Sequence, residues 1–448
     1  MKKISIWEDS IKLKSFNKLN HNLTTDILII GGGITGISTL YHLNNSKYKV
    51  SLVEQNKIGV STTSKSTGKL TYLQNDLLYN IKKTHGESTL INYINSQKDA
   101  IKMIIDTIKK LNIDCELEKV SSEVYTNKER EISKLKELED ILNKNNIKVT
   151  SSKNNIIDNK YIIKVNDTSI YTPLKFINGL INNIDNNNIY ENTSIIKINK
   201  ENNNYICLTN NNKKIITKYI VLSSHYPYFN IPYLFPIKGY IEKSYLSASI
   251  YKHKNNISLI SYSNPFISLR TYKDYLVYLS NSHSTNKNIN DNKNYQELIK
   301  KLNKINLTPE YLWSNSDIIT NDYLPYIGIL KDNILIATGY NTWGLASGYL
   351  AGLIVKDIIN NKNNKYIDLF NPNRVNINIL KPLSNTYKNI SSIIKSYTKK
   401  PKITCPHMGC NLIYNDVEDT WDCPCHGSRF NKDGKCIASP SNKDINIK

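Results

Sequence analysis

The segment from Asp26 to Glu54 constrains the fold of this chain more than any other. An apolar run, Asp26–Ile30, precedes residues 31–36, which fit the pattern G-x-G-x-x-G and lead into an apolar helix pattern. A second apolar run, Lys49–Val53, ends at Glu54. Such glycines permit a tight turn, close approach of the backbone to a pyrophosphate and packing of helix on strand. The order of strand, glycine turn, helix, strand and acid therefore predicts a Rossmann-like βαβ unit of a parallel α/β sheet.

The same segment predicts where a dinucleotide cofactor binds. Gly31, Gly33 and Gly36 form the predicted turn, and the free N–H groups of the following helix suit phosphate groups. Glu54 lies where a carboxylate accepts hydrogen bonds from the adenosine ribose. These residues suit either FAD or NAD.

Two further segments favour FAD over NAD. A hydroxyl-rich loop at residues 58–69 offers extra donors to a pyrophosphate, and its cofactor-binding candidates are Thr62, Thr63, Ser66 and Thr67. Far along the chain, a strand at Ile334–Ala337 runs into a glycine-rich turn with Gly339 and Gly344, followed by an apolar helix that ends at Ile359. This second turn directs a helix N-terminus at the cofactor, where it stabilises negative charge on a reduced flavin ring.

The last tenth of the chain carries a set of metal-ligating residues. Cys405 and His407 form C-x-H, fifteen residues intervene, and Cys423 and His426 form C-x-x-H. Thiolates are the usual ligands of iron–sulfur clusters, and two imidazoles in place of two thiolates raise the reduction potential. Two further cysteines, Cys410 and Cys425, lie within these motifs. Zinc also takes cysteine and histidine ligands, but it binds only four, so it would leave two of the six residues unused. Both readings stay open at this point, and the fixed spacing favours iron and sulfur.

Taken together, these segments resemble the D-amino-acid oxidase-like FAD oxidoreductases, the group that includes glycine oxidase. More narrowly, they resemble the subgroup that carries a C-terminal Rieske domain. The resemblance extends over almost the whole chain, and it is carried by SIWEDSIKLKSF, DILIIGGGITGISTLYHL, STTSKSTGKLT, VLSSHYP, DYLPYIG, ATGYNTWG and CPHMGC…WDCPCHGSRF.

The resemblance implies a fold and two cofactors, FAD and a Rieske-type [2Fe–2S] cluster. Cys405 and Cys423 would hold one iron, and His407 and His426 the other. Further implications concern a disulfide and the flavin pocket: Cys410 pairs with Cys425, the backbone near Ile195 contacts adenine, and His225 and His283 line the pocket.

The expected fold is α/β: a Rossmann-like FAD-binding domain, an antiparallel β-sheet substrate domain and a small Rieske-type iron–sulfur module. The FAD-binding domain is predicted in three parts and the substrate domain in two. Their expected bounds are 1–84, 166–234 and 316–365 for the FAD-binding domain, 85–165 and 235–315 for the substrate domain, 366–400 for a linker, and 401–448 for the module.

The predicted iron–sulfur module is short. Only residues 395–404 are left before Cys405 to form the base of the module, so the strands that normally precede the first ligand loop are missing. Either the module borrows packing from the FAD-binding domain or it is a relic that binds metal poorly. The presence of all four ligands and both further cysteines favours a working cluster.

Composition argues against a nucleic-acid partner despite a formal net charge of +21. Only four of the 59 basic residues are arginine, the side chain that suits bidentate phosphate recognition. Lysine, asparagine, isoleucine and tyrosine are abundant together, which indicates A/T-rich codons rather than selection for an acidic partner. The N-terminus has no apolar signal-peptide core and no apolar run is long enough to span a bilayer, so a cytoplasmic protein is expected.

These observations predict an enzyme that oxidises a small amine-like or amino-acid-like substrate by hydride transfer to FAD. The cluster would pass electrons singly to or from an unidentified one-electron partner, in either direction. Arg270 is a candidate anchor for a substrate carboxylate, although a surface arginine paired with an acid is the equal alternative. The competing function is a plain flavin amine or amino-acid oxidase that makes peroxide and carries a structural or degenerate metal-binding tail.

Overall fold

The computed structural model describes residues 1–151, 157–226, 238–285, 291–374 and 403–447. Three sheets of eight, nine and four strands organise this part of the chain. Both large sheets contribute residues to one cavity, and the module with the small sheet also lines it.

The eight-stranded sheet has a parallel centre. Strand β1 pairs in parallel with both β2 and β10, and β10 pairs in parallel with β17. Residues 27–30 of β1 are all buried, as expected for a strand that is covered by other elements on both faces. The strands of this sheet are β1 (Leu23–Ile30), β2 (Val50–Val53), β7 (Ile189–Tyr190), β8 (Ile195–Glu201), β9 (Asn204–Thr209), β10 (Lys214–Leu222), β16 (Tyr326–Lys331) and β17 (Ile334–Thr338).

The nine-stranded sheet is antiparallel except where β12 pairs in parallel with β4. Its longest strands, β11 and β15, lie at one edge and pair over their whole length. The strands are β3 (Lys69–Leu70), β4 (Glu118–Thr126), β5 (Thr150–Ser151), β6 (Tyr161–Ile170), β11 (Gly239–Ile250), β12 (Ser258–Ser261), β13 (Ser268–Tyr272), β14 (Tyr275–Ser284) and β15 (Pro309–Thr320).

Helices cover the outer faces of these sheets. Two of them begin at glycine-rich turns after strands of the first sheet and pack against each other. The described helices are α1 (Ile6–Ser10), α2 (Ile34–Leu43), α3 (Leu77–His85), α4 (Glu87–Lys110), α5 (Glu129–Lys144), α6 (Pro173–Asn182), α7 (Asp291–Asn303), α8 (Gly344–Ile359) and α9 (Ile367–Phe370).

The small sheet forms a C-terminal module of short antiparallel strands. All of its strands follow the first predicted ligand loop, and before that loop the described chain contributes only the bridge between Thr404 and Asn411. The strands are β18 (Ile413–Asn415), β19 (Thr420–Asp422), β20 (Arg429–Asn431) and β21 (Cys436–Ala438).

The structure corrects one local expectation from the sequence and describes only part of another. The sequence pattern predicts one strand over Ile189–Asn199, but the structure divides it into β7 and β8. The break follows Glu191, whose buried carboxylate accepts hydrogen bonds from other segments, and Asn192 adopts φ 50°. Of the predicted linker at 366–400, residues 375–400 lie outside the described residues, and α9 occupies part of the remainder.

Candidate functional site

The main cavity opens at the carboxyl ends of the parallel strands, the place where α/β sheets bind ligands. Loops that follow β1, β2, β10 and β17 all line it. The N-terminal residues of α2 and α8 also line it, so two helix N-termini with their partial positive charge face the same space.

The glycine turn after β1 has the close packing that a pyrophosphate turn requires. A Cβ on Gly36 would lie 1.9 Å from the carbonyl oxygen of Gly31, so only glycine fits there. Gly31 itself has φ 111°, a conformation that side chains disfavour. Glu54 accepts hydrogen bonds from the N–H groups of Gly32, at 2.7 Å, and Asn56, at 2.8 Å. Burial nevertheless raises the pKa of Glu54 above its usual value.

The hydroxyl-rich loop lies against this turn. Thr63 Oγ1 accepts a hydrogen bond of 3.1 Å from the N–H of Ile34, the first residue of α2. The other cofactor-binding candidates from the sequence also line the cavity, namely Gly31, Gly33, Glu54, Thr62, Ser66, Thr67, Ile195, Gly339 and Gly344. Gly36 supports the turn from behind the lining. The lining thus includes Ile195, both helix N-termini and residues of the nine-stranded sheet, and its set of hydrogen-bond donors fits FAD.

The far end of the cavity is formed by the nine-stranded sheet. Glu242 of β11 and Asp317 of β15 face each other across the two strands, and both line the cavity. Burial raises the pKa of Asp317 to about 7. Lys69 of β3 lines the same end and is 5% exposed. Sequence reasoning does not single out these three residues, because only the pairing of distant strands directs them at one cavity.

The three substrate-pocket candidates from the sequence are placed differently. His225 lines the cavity, and burial lowers its pKa to about 4. His283 lies outside the described lining, with its ring stacked 5.8 Å from that of Tyr245. Arg270 is 1% exposed and also lies behind the lining, where its Nη1 donates to the carbonyl oxygens of Thr67, Gly68 and Tyr171. Arg270 is therefore neither exposed on the surface nor part of the lining of the cavity.

In the C-terminal module, each of the two ligand loops contains the same kind of backbone turn. The N–H of Gly409 donates to the carbonyl oxygen of Cys405 at 2.8 Å, and the N–H of Gly427 donates to that of Cys423 at 3.0 Å. Both glycines lie four residues after a predicted cysteine ligand, with φ 74° and 73°. These left-handed residues let each loop fold back, so that a cysteine and a histidine of each loop point to the same place.

The predicted ligands converge between these loops. Contact with Cys423, and hydrogen bonds that include one from Ser428, hold the pKa of the Cys405 thiol below its usual value. The imidazoles of His407 and His426 meet edge to face with ring centroids 5.1 Å apart. His426 is 4% exposed, and its buried Nδ1 has no hydrogen-bond partner. Two thiols beside two imidazoles, one with an unsatisfied nitrogen, fit a [2Fe–2S] cluster of the Rieske type.

The remaining cysteines of the module argue against a zinc site built from four cysteines. Cys410 and Cys425 form a disulfide, as the family resemblance implies. Their sulfurs lie close to that of Cys423, but a disulfide sulfur carries no thiolate charge with which to bind a metal. Cys436 is buried and its thiol donates to the carbonyl oxygen of Ser441 at 3.1 Å. A site of four cysteine thiolates is therefore not available among the described residues.

The module forms part of the wall of the main cavity. Residues 437–442 line it next to Tyr226, whose N–H donates to Ser439 Oγ at 3.3 Å. The ring of Tyr226 is 6.2 Å from that of His407 and 6.3 Å from that of His426, centroid to centroid. One buried aromatic side chain thus touches the cavity and both predicted histidine ligands.

A buried group of charges holds the module on the nine-stranded sheet. Lys243 of β11 contacts Asp422 of the module at 2.6 Å and Asp291 of α7 at 2.9 Å. Arg429 contacts Asp422 at 3.0 Å and Glu418 at 2.6 Å. Although burial alone would raise it, the charges of Arg429 and Lys243 lower the pKa of Asp422 to about 2. Contacts with β11 and α7 therefore support the module, which lacks the strands that normally precede the first ligand loop.

Comparisons with known proteins agree with this geometry. Residues 26–358 match the family model "DAO: FAD dependent oxidoreductase", and residues 401–447 match the "Rieske [2Fe-2S] domain". The Bacillus subtilis (strain 168) protein YhfW, named as a Rieske 2Fe-2S iron-sulfur protein, is 28% identical over 98% of this chain and 96% of its own. An iron-sulfur subunit of the cytochrome b6-f complex from Trichormus variabilis is 37% identical over 10% of this chain and 24% of its own.

Solved structures show the same fold over the larger part of the chain. Glycine oxidase from Geobacillus kaustophilus has a TM-score of 0.67 at 14% identity, covering 79% of this chain and all of its own. L-proline dehydrogenase from P. horikoshii has a TM-score of 0.64 at 16% identity, covering 78% and 97%. In the part of the chain that the structure describes, every helix is too short or too polar to cross a membrane.

These findings confirm the predicted fold and both predicted cofactors. They also agree with the cavity and the ligand loops described above. The chain belongs to the DAO family of FAD-dependent oxidoreductases, and it carries a C-terminal Rieske [2Fe–2S] domain.

Proposed function

We propose that this enzyme oxidises a small amine-like or amino-acid-like substrate at FAD and exchanges the electrons one at a time through its Rieske cluster. FAD accepts a hydride, whereas a [2Fe–2S] cluster carries single electrons. The contact of Tyr226 with the cavity, His407 and His426 carries the proposal, because one side chain lines the cavity and also contacts both predicted histidine ligands.

The residues of the chain supply binding and exclusion of solvent. The walls of the cavity orient the substrate, and residues 437–442 of the module close the cavity beside Tyr226. The buried position of Tyr226, at 6% exposure, keeps water out of the space between the two sites. The fixed placement of the module makes a separate docking step unnecessary for electron exchange within the chain.

The amine-like substrate class is supported by two neighbouring proteins and by the cavity. Structures of the same fold include an oxidase of glycine and a dehydrogenase of L-proline. The acidic pair Glu242 and Asp317 on the far wall also suits an amino group. The substrate can be identified by an anaerobic screen of amines, amino acids and hydroxy acids, in which loss of flavin absorbance shows that the compound reduces FAD.

A Cys423→Ser variant tests the electron relay with the substrate so found. We expect the variant to lose the cluster, to keep substrate reduction of the flavin and to lose rapid turnover with an external one-electron acceptor. Cys436→Ser is the matched control, because it changes a buried thiol of the same module that binds no predicted iron.

Two results would contradict the relay. One is turnover of Cys423→Ser with the one-electron acceptor at the rate of the parent enzyme. The other is a stoichiometric yield of peroxide from the parent under air while its cluster stays oxidised, which would support the plain oxidase instead.

A further inference from the structure

The substrate end of the cavity contains a buried cation with incomplete partners. Lys69 Nζ donates to the carbonyl oxygen of Leu259 and to Ser268 Oγ, both at 2.8 Å. Both partners are neutral. Since an ammonium group has three N–H donors, one of them remains for a ligand.

The charged side chain that lowers the pKa of Lys69, Arg270, has the same sign. Burial, followed by the charge of Arg270, holds the pKa of Lys69 well below its usual value. Arg270 spends its own hydrogen bonds on carbonyl oxygens, including that of Thr271. Within the described residues, neither side chain forms an ion pair with a carboxylate. A buried ammonium group without a counter-charge tends to lose its proton, and an anionic ligand beside it would stabilise the charged form. This part of the cavity therefore favours an anion.

The other charged residues of the cavity differ from Lys69 in this respect. Lys65 also lines the cavity, but it lies near the Glu418 carboxylate, whose pKa it helps to lower. Glu242 and Asp317 lie on β11 and β15, and β14 separates β11 from β13, where Ser268 lies. The acidic pair of the cavity and its unmatched cation, Lys69, therefore lie on different strands.

We infer that Lys69 and Ser268 bind the carboxylate group of the substrate. The remaining N–H of Lys69 and the hydroxyl hydrogen of Ser268 give two donors on atoms 2.8 Å apart, which suits the two oxygens of one carboxylate. Ile260 and Phe266 line the cavity next to them and suit the apolar part of such a molecule. This assignment rests on the proposed oxidoreductase function, and it gives Lys69 the role that sequence reasoning offers to Arg270.

The first test measures binding to the oxidised FAD-loaded enzyme without turnover. Acetate and propionate are titrated while the visible absorbance of the flavin is recorded, with acetamide and propionamide as uncharged controls of the same shape. We expect saturable spectral changes with the carboxylates and none with the amides. Methyl phosphate forms a third arm: tighter binding of this phosphomonoester than of the carboxylates would overturn the assignment to a carboxylate.

The second test compares two lysine variants. Lys69→Met is expected to weaken carboxylate binding about tenfold or more, the effect of losing a charge-assisted hydrogen bond, whereas Lys65→Met retains it. Without a ligand, Lys69→Met should unfold at the same temperature as the parent or higher, because methionine removes an unmatched buried charge. A purely structural lysine would give the opposite pattern, a lower unfolding temperature with unchanged anion affinity.

Ser268→Ala provides a second variant that keeps the charge. We expect weaker binding of carboxylates and a modest fall in the unfolding temperature, because Lys69 loses the oxygen that accepts its hydrogen bond. Unchanged affinity in both Ser268→Ala and Lys69→Met would overturn the inference. Because no electron moves in these titrations, a failure of the relay leaves their outcome unaffected, and the two proposals fail separately.

Discussion

At the scale of single residues, Tyr226 links the flavin cavity to the iron–sulfur module. It is buried, it lines the flavin cavity, and its ring meets the imidazoles of His407 and His426 edge-on. The sequence contains it only as part of the motif VLSSHYP, where the neighbouring His225 attracts attention first. Only the docking of a module some two hundred residues away gives Tyr226 its role.

A Tyr226→Leu variant tests that role. The change removes two ring contacts, each worth about 0.5–1.5 kcal/mol, and opens the wall between the cavity and the histidines. We expect electron transfer from flavin to cluster to slow more than flavin reduction by substrate, as measured by anaerobic stopped-flow absorbance. Tyr226→Phe is the control, since it keeps the ring and should transfer at the rate of the parent. Equal transfer rates in all three proteins would exclude Tyr226 from the electron path.

At the scale of elements, the ligand loops depend on their glycines. Gly427 has φ 73°, and a Cβ there would lie 3.1 Å from the Ile241 side chain of the nine-stranded sheet. Gly427→Ala should therefore cost about 1–3 kcal/mol through backbone strain and lower the iron and sulfide content of the purified protein. Gly86→Ala is a matched control, because Gly86 has φ 87° but no neighbour within 4 Å of an added Cβ. Full cluster content in Gly427→Ala would show that this turn does not shape the site.

Local elements follow from sequence where the pattern is strong. The helix predicted to end at Ile359 does end there, because its apolar residues are buried on nearly all sides. The first βαβ unit is equally well marked by its glycines. The strand predicted over Ile189–Asn199 fails because the partners of Glu191 come from distant segments. For the same reason the cavity roles of Lys69 and Asp317 could not be predicted, since strand order in the nine-stranded sheet determines which side chains share a wall.

At the scale of the whole molecule, the buried charges around Lys243 fix the Rieske module in place. Removing Lys243 leaves the largely buried carboxylates of Asp291 and Asp422 without the positive charge that Lys243 supplies. Lys243→Met should therefore destabilise the docked module by about 3–5 kcal/mol. The measurement is the urea concentration at which the circular dichroism of the cluster is lost.

The control for this variant is Lys200→Met. Lys200 pairs with Asp332 on the surface, where both side chains are about half exposed at 50% and 44%, so its loss should leave the urea midpoint unchanged. An unchanged midpoint in Lys243→Met as well would mean that the module is held by other contacts.

Electron exchange between flavin and cluster within one chain can be followed directly. The most direct measurement reduces the flavin with a light pulse under argon, in the FAD- and cluster-loaded protein, and follows the EPR signal of the reduced Rieske cluster by freeze-quench. We expect this signal to rise as the flavin reoxidises, at a rate that does not change over a tenfold range of protein concentration. A cluster that stays oxidised beside a reduced flavin, or a rate proportional to protein concentration, would contradict electron exchange within the chain.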